Sequence, residues 1–152
     1  MRLLALDPGG TTGCAMLEWD GTAPKPAMVD GWDQVSFDDM PDWLALELAH
    51  GRPDLIVIER FFITPRTVQY TRQPEALYVI GGTIFMAKLA GIPIRLQSSA
   101  DAKNAWPNDR LKGWPVRGRH AKDALRHALL ACQAREVYSV FTDTQTQTGD
   151  TP

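Results

Sequence analysis

Hydrophobic residues in this chain form two kinds of pattern, short continuous runs and longer stretches with helical spacing. The continuous runs at residues 3–6 and 55–58 are typical of strands that are buried on both faces of a sheet. Residues 11–19 follow a glycine-rich turn and are predicted to pair antiparallel with the first strand. Weaker patterns at 28–37 and 92–96 bring the number of predicted strands to five.

Helical spacing predicts four helices, at residues 40–50, 74–90, 98 or 99 to 105, and 119 or 120 to 135. Pro41 suits the first turn of the first helix, and Gly51 suits its end. The helix 74–90 is apolar nearly all round and contains Gly81 and Gly82, which permit close approach of another backbone. That backbone belongs either to this chain's own sheet or to a second subunit.

A helix followed by a buried strand implies parallel pairing. The sequence therefore predicts one α/β domain over residues 1–141, with a five-stranded mixed sheet and helices on both faces. Residues 142–152 contain no large apolar side chain and are predicted to be a disordered tail.

Composition places the chain among ordinary globular domains, since 44% of its 152 residues are hydrophobic and 22% are charged. Cys14 and Cys132 are the two cysteines, and their spacing predicts buried free thiols rather than a zinc site or a disulfide. The apolar stretch 76–87 is too short to span a bilayer, and the start of the chain lacks a signal-peptide pattern. We therefore expect a cytoplasmic protein.

Charge is distributed unevenly along the chain, although the net charge is only −2. Residues 1–59 carry 11 acidic and 3 basic side chains, whereas residues 60–135 carry 4 acidic and 13 basic ones. A cationic face attracts polyanions such as nucleic acids. The alternative is a mixed surface on which the two halves of the sequence interleave.

Three separate segments place metal-ligand side chains where they can converge. Asp7 and Glu59 each end a buried strand, so neighbouring strands would bring both carboxylates to one edge of the sheet. His120 and Asp123 are spaced i, i+3 and share a helix face. Oxygen ligands of this kind bind Mg²⁺, and a pair of ions could activate water and stabilise the leaving oxygen of a phosphodiester. We therefore predict that Asp7, Glu59, His120 and Asp123 are the catalytic and metal-binding residues.

These motifs resemble those of RuvC-like Holliday-junction resolvases, a branch of the RNase H-like superfamily. The first motif is Leu6-Asp7-Pro8-Gly9 followed by Thr12-Gly13, the second is Val57-Ile58-Glu59, and the third is His120-Ala121-Lys122-Asp123-Ala124. The likeness covers residues 1–135 in the expected order and is greatest to small phage-type members. The host cytoplasm is the expected location if the protein is phage-encoded.

The resemblance implies an RNase H-like fold and a Mg²⁺- or Mn²⁺-dependent endodeoxyribonuclease that uses two ions and leaves 5′-phosphate ends. It implies a homodimer, formed through the helix 74–90, that binds four-way DNA junctions. Asp7, Glu59 and Asp123 would be metal ligands. His120 stands where many members have aspartate, so it is either a ligand, which would favour Mn²⁺, or a proton carrier.

Basic and aromatic side chains supply candidate DNA contacts. The loop after the second predicted carboxylate strand is expected to enter the junction, and later cations are expected to contact phosphates. His50 and His127 are interpreted as structural. The predicted DNA-binding residues are Arg60, Arg66, Tyr70, Arg72, Lys103, Lys112, Arg117, Arg119 and Lys122.

Three other functions are compatible with parts of this pattern. The turn Asp7-Pro8-Gly9-Gly10-Thr11-Thr12-Gly13 is also typical of actin-like ATP-binding proteins, but those proteins need two large lobes. A nuclease-derived binding module would grip DNA without cutting, yet all four ligand positions are occupied here. A related nuclease acting on flaps or RNA–DNA hybrids would have the same motifs, since branch specificity depends on dimer geometry.

Overall fold

Five strands form a single mixed sheet in the computed structural model, which describes residues 1–19, 27–62 and 74–133, with only the backbone described at 27–33. The strands are β1 (Arg2–Asp7), β2 (Thr11–Glu18), β3 (Ala27–Ser36), β4 (Leu55–Glu59) and β5 (Ile94–Gln97). Their order across the sheet is β3-β2-β1-β4-β5. The first three strands pair antiparallel, and β4 and β5 continue the sheet in parallel with β1.

Among the described residues, four α-helices connect and cover these strands. They are α1 (Met40–Leu46), α2 (Glu75–Ala90), α3 (Ser99–Ala105) and α4 (Arg119–Gln133). A 3₁₀ turn at Asn108–Leu111 lies between α3 and α4. The side chain of Ser98 accepts a hydrogen bond from the backbone N–H of Ala100 and so caps α3.

The core has two layers because side chains of a strand alternate between the faces of the sheet. On one face, β1, β2 and β4 pack against α4 through residues such as Leu3, Leu17 and Leu125. On the other face, residues such as Leu6 and Ile58 pack against α1 and α2. Helices therefore cover both faces, and the predicted α/β architecture is confirmed.

Two details differ from the prediction for the helix at 40–50. The α-helix ends at Leu46, and the chain continues as one π-helical turn, Glu47–Gly51. Arg52 then adopts a left-handed conformation with φ of 39°, which turns the chain towards β4. Gly51 is thus the last residue of the π turn rather than the cap, and the backbone reversal falls on Arg52.

Cys14 and Cys132 are both buried, and they form no disulfide with each other, as predicted. Burial raises the pKa of the Cys132 thiol to about 11, so it stays protonated and unreactive at neutral pH. Among the described residues, no helix is long and apolar enough to cross a membrane.

The outer side of α2 is unusually apolar for a surface. Tyr78 and Phe85 are each 63% exposed, and Leu89 is 75% exposed. A Cβ atom added at Gly81 or Gly82 would have no atom within 4 Å among the described residues outside the helix itself. The glycines therefore do not serve packing against the chain's own sheet, which was one of the two explanations that the sequence left open.

Candidate active site

The carboxyl ends of three parallel strands bring polar side chains into one row. Leu6 of β1 is aligned with Ile58 of β4, so Asp7 and Glu59 follow at neighbouring strand ends. Glu59 is in turn aligned with Gln97 of β5. Because Leu6 and Ile58 face α1 and α2, the alternation of side chains directs Asp7 and Glu59 towards α4.

The helix α4 presents three polar side chains to this row. His120, Asp123 and His127 are spaced i, i+3 and i+7, so they lie along one face of the helix. The N-terminal turn of α4 approaches β2 at Gly13, which is paired with Asp7 in the β1–β2 ladder. A Cβ atom at Gly13 would lie 2.6 Å from the backbone nitrogen of Ala121 and closer still to the carbonyl group of His120. The missing side chain of Gly13 thus lets α4 reach this row of strand-end side chains, called the carboxylate row below because Asp7 and Glu59 belong to it.

Asp7 is buried beside a histidine and near two other acids. Its Oδ2 lies 2.9 Å from Nδ1 of His120, whose side chain is 41% exposed. The pKa of Asp7 is raised to about 6, chiefly by burial and further by the negative charges of Glu59 and Asp123, while the hydrogen bond and the charge of His120 oppose the rise. Glu59 and Asp123 are therefore both close enough to Asp7 to disfavour its ionisation.

Glu59 has a different environment, because several donors surround it. Its Oε2 lies 2.9 Å from Nε2 of His127. Burial raises the pKa of Glu59, but the hydrogen bond and charge of His127, a hydrogen bond from Ser99 and the charge of Lys103 outweigh burial and lower it. Glu59 is thus held as a carboxylate.

Asp123 is buried and bound by cations. Arg126, one turn further along α4, donates to Asp123 and to the side chain of Asn108, and its Nε donates to the carbonyl of Trp106 over 2.9 Å. The ammonium group of Lys103 lies 3.8 Å from Asp123. A buried charge needs such partners to offset its lost hydration. Arg126 thereby also joins α4 to the segment before the 3₁₀ turn.

The four predicted ligands lie at one edge of the sheet but are divided among separate partners. Among the described residues, no three or more His, Cys, Asp or Glu side chains converge on one point where a metal ion could bind. The chemistry of the donor set nevertheless fits Mg²⁺ or Mn²⁺: three carboxylates and an imidazole lie at one edge of the sheet, and ionisation of Asp7 is disfavoured by burial and by its acidic neighbours. A cation bound there would favour the ionised form of Asp7 and so oppose the effects of burial and of the neighbouring negative charges on its pKa.

The predicted DNA contacts fall into three groups. Arg66, Tyr70 and Arg72, like the tail 142–152 and the last residues of the predicted domain, lie outside the described residues. Lys103 and Arg119 line a cleft of about 460 Å³ that also includes Asn108, Asp123 and Arg126. The others, Arg60, Lys112, Arg117 and Lys122, are exposed. The guanidinium of Arg60 lies over the ring of Phe62, and Lys112 forms an ion pair with Asp109 at 2.8 Å.

Three residues around the carboxylates were not predicted from the sequence to belong to the site. His127 was interpreted as structural, yet it contacts Glu59, and neither Arg126 nor Gln97 was considered. The i, i+3, i+7 spacing of His120, Asp123 and His127 is a signal that could have identified His127. No local pattern marks Gln97, because its place beside Glu59 depends on the pairing of β4 with β5.

The mixed sheet, with β1 central and the carboxylate row facing α4, defines an RNase H-like α/β fold. Thermus thermophilus RuvC has this fold: its structure matches this chain with a TM-score of 0.70 and 21% identity, covering 89% of this chain and 96% of that one. The structure of T. thermophilus RuvC with a Holliday-junction substrate matches with a TM-score of 0.67 and 22% identity, covering 89% and 95%.

A viral protein gives a further match. The fowlpox virus resolvase in complex with substrate Holliday-junction DNA has a TM-score of 0.58 and 12% identity, covering 86% of this chain and 98% of that one. These three structural matches confirm the predicted fold. No protein-family model matches this chain, and no curated protein sequence matches it.

Proposed function

We propose that this protein is a divalent-metal-dependent endonuclease that cleaves phosphodiester bonds in four-way DNA junctions. The observation that carries the proposal is the placement of Asp7 and Glu59 at adjacent strand ends, with His120 and Asp123 on the helix that crosses them. The proteins with the same fold include RuvC and a viral resolvase, each in complex with a Holliday junction.

In this proposal Asp7, Glu59 and Asp123 would hold two Mg²⁺ or Mn²⁺ ions, and His120 would be either a fourth ligand or a proton carrier beside them. The bound ions supply Lewis-acid activation of water and stabilisation of the leaving oxygen. His120 is partly exposed and holds its ring against Asp7 through Nδ1, so it can accept a proton close to the attacking water. Its role as ligand or as proton carrier determines which cation is preferred.

Incubation with labelled DNA tests this function. A four-way junction, a flap, an RNA–DNA hybrid and a linear duplex are each incubated with Mg²⁺, with Mn²⁺ and with a chelator. We expect paired nicks in the junction only when a divalent cation is present. Preferential cleavage of the flap or the hybrid would assign the site to a related nuclease, and no cleavage of any substrate would refute the proposal.

The basic cleft is the proposed phosphate-binding surface next to the carboxylates. Replacing both Lys103 and Arg119 by alanine should weaken junction binding and reduce the slope of log K against log salt by about 1.8, since each lost phosphate contact contributes about 0.9. Binding is measured by fluorescence anisotropy at salt concentrations from about 50 to about 200 mM, which include the physiological ionic strength.

A matched control for the cleft removes equal charge elsewhere. Arg52 and Lys88 are exposed and precede β4 and β5, so they lie towards the sheet edge opposite the carboxylates. Their double alanine variant should retain the salt slope of the unmodified protein. If both double variants reduce the slope equally, the cleft is not a specific phosphate site.

The outer face of α2, formed by Tyr78, Gly82, Phe85 and Leu89, is the proposed homodimer interface. These residues are spaced i, i+4, i+7 and i+11 and so form one exposed stripe, beside an apolar groove between α1 and α2. A contiguous exposed apolar patch marks an interaction surface. Two copies of the chain would place two cleavage sites on one junction.

Charges on this face should separate the subunits. The double variant Phe85→Glu/Leu89→Glu buries two carboxylates in the proposed interface, so light scattering should give the monomer mass where the unmodified protein gives twice that mass. Ala100→Glu, an exposed change on α3, should leave the dimer intact. A dimer that survives the double variant, or an unmodified protein that is already monomeric, would contradict this interface.

A further inference from the structure

We infer that His127 is the positioning residue for Glu59: with Gln97 it forms a buried brace that sets the orientation of this carboxylate for cation binding. The inference rests on the proposed function of the carboxylate row and extends it to residues that are not ligands. His127 is only 1% exposed, and both of its ring nitrogens contact side chains from the row.

The brace follows from strand register and helix spacing together. Glu59 and Gln97 are directly paired on the neighbouring strands β4 and β5. Neighbouring strands lie about 4.8 Å apart, a distance that one imidazole ring can bridge. His127 lies two helical turns after His120, so the same face of α4 that reaches Asp7 on β1 also reaches β4 and β5.

Nε2 of His127 donates a hydrogen bond to Glu59 in both possible hydrogen-bonding arrangements of the ring. Nδ1 lies 3.0 Å from Oε1 of Gln97, and Nε2 lies 2.9 Å from Oε2 of Glu59. Two acceptor oxygens require an N–H on both nitrogens. Nε2 of the Gln97 amide has no hydrogen-bond partner among the described residues. If this amide is flipped, its nitrogen donates to Nδ1 of His127 instead. A neutral ring then still donates from Nε2 to Glu59.

Glu59 is thereby restrained at one of its two oxygens. The hydrogen bond engages Oε2 and restricts rotation of the carboxylate, while the contact with Gln97 holds the other side of the ring. Residues that orient metal ligands in this way typically contribute about 10- to 100-fold to metal affinity. A hydrophobic residue at position 127 would fill the same space but leave Glu59 with the hydrogen bond from Ser99 and without the one from His127.

Cation binding without DNA provides the direct test. The affinity of the metal-free protein for Mn²⁺ is measured by electron paramagnetic resonance, and junction cleavage is measured alongside as kcat and KM. We expect His127→Leu to weaken Mn²⁺ binding by about 10- to 100-fold and to lower kcat by a similar factor, with KM for the junction little changed. His127→Gln should recover most of both losses, because its amide N–H can replace the donor on Glu59.

A matched control separates positioning from general destabilisation. Leu129 lies on the same helix and is also 1% exposed, but it belongs to the apolar core. Leu129→Ala should lower the unfolding temperature and leave the affinity for Mn²⁺ unchanged. If His127→Leu does not fold, Gln97→Leu keeps the histidine and should weaken Mn²⁺ binding by a smaller factor.

Several results would overturn the inference, and they differ from those that refute the nuclease proposal. Unmodified affinity for Mn²⁺ in His127→Leu, or an equal loss in Leu129→Ala, shows that His127 is only a core residue. Failure of Gln to restore binding shows that the donor on Glu59 is irrelevant. If the unmodified protein binds Mn²⁺ but cuts no DNA, the nuclease proposal fails while a loss in His127→Leu still supports the brace.

Discussion

Replacing Asp7 by asparagine should abolish junction cleavage, lowering its rate by about 1,000-fold or more, while junction binding is retained. The substitution removes one proposed ligand, at the β1 end of the carboxylate row, but leaves the basic cleft intact. Metal ions contribute several kcal/mol of transition-state stabilisation, and roughly 1.4 kcal/mol corresponds to a tenfold change in rate. Single-turnover cleavage and anisotropy on the same junction measure the two effects separately.

Stability measurements show whether the Asp7→Asn variant loses activity by unfolding. Because the pKa of Asp7 is raised from 3.8 to about 6 in the folded protein, its stabilising contribution is complete below pH 3.8 and is lost as the pH rises through 6. Asparagine does not ionise. Without divalent cations at pH 8, the variant should therefore be at least as stable as the unmodified protein, with an unfolding temperature that is equal or higher. The gain in free energy of unfolding should be at most about 3 kcal/mol.

Added cation reverses this comparison. Mg²⁺ should raise the unfolding temperature of the unmodified protein more than that of the variant, because a ligand that binds only the folded state stabilises it. Cleavage by Asp7→Asn at the unmodified rate would show that Asp7 does not belong to the catalytic site.

Replacing Gly13 by alanine should both destabilise the protein and inactivate it. The new Cβ would lie 2.6 Å from the backbone nitrogen of Ala121, so β2 and the start of α4 must separate. Overpacking of a core costs about 1–3 kcal/mol, and here the obstacle is backbone that cannot rotate away, so we expect about 3 kcal/mol or more. The shift moves His120 from Asp7, and a misplacement of about 1 Å can cost about 100-fold in rate.

Gly10 provides the matched control for Gly13. It lies in the turn before β2 and is exposed, and among the described residues beyond its chain neighbours no atom lies within 4 Å of the position that a Cβ would occupy. Gly10→Ala should therefore change the unfolding temperature and the cleavage rate very little. Urea unfolding and junction cleavage of both variants check the prediction, and a Gly13→Ala variant as stable as Gly10→Ala would mean that α4 does not approach β2 this closely.

Local sequence patterns predicted much of the fold because the relevant forces are local. The continuous apolar runs before Asp7 and Glu59 identify central strands, and polar residues directly after them must lie at the edge of the sheet. The helix 40–50 was less well predicted, because its last turn is π-helical and spacing alone does not distinguish the two helix types. The positions of Arg66, Tyr70 and Arg72 remain predictions.

The partners of the carboxylates could not be predicted in the same way. His127 and Gln97 are separated by 30 residues, and His120 and Asp7 by 113 residues, so their contacts depend on strand register and on the docking of α4. Arg126 was not singled out, since an arginine on a helix is usually solvated, whereas here it binds Asp123 and the chain before the 3₁₀ turn.

The sequence by itself determined which side chains are available for chemistry and at which ends of which elements they lie. It did so because strand alternation and helical spacing are properties of the local backbone. Only the tertiary structure decided that Asp7, Glu59 and Asp123 each have a separate protein partner, and that Gly13 sets the distance between β2 and α4. Those features arise from packing between segments distant in the chain, where a contact depends on the whole arrangement of sheet and helix.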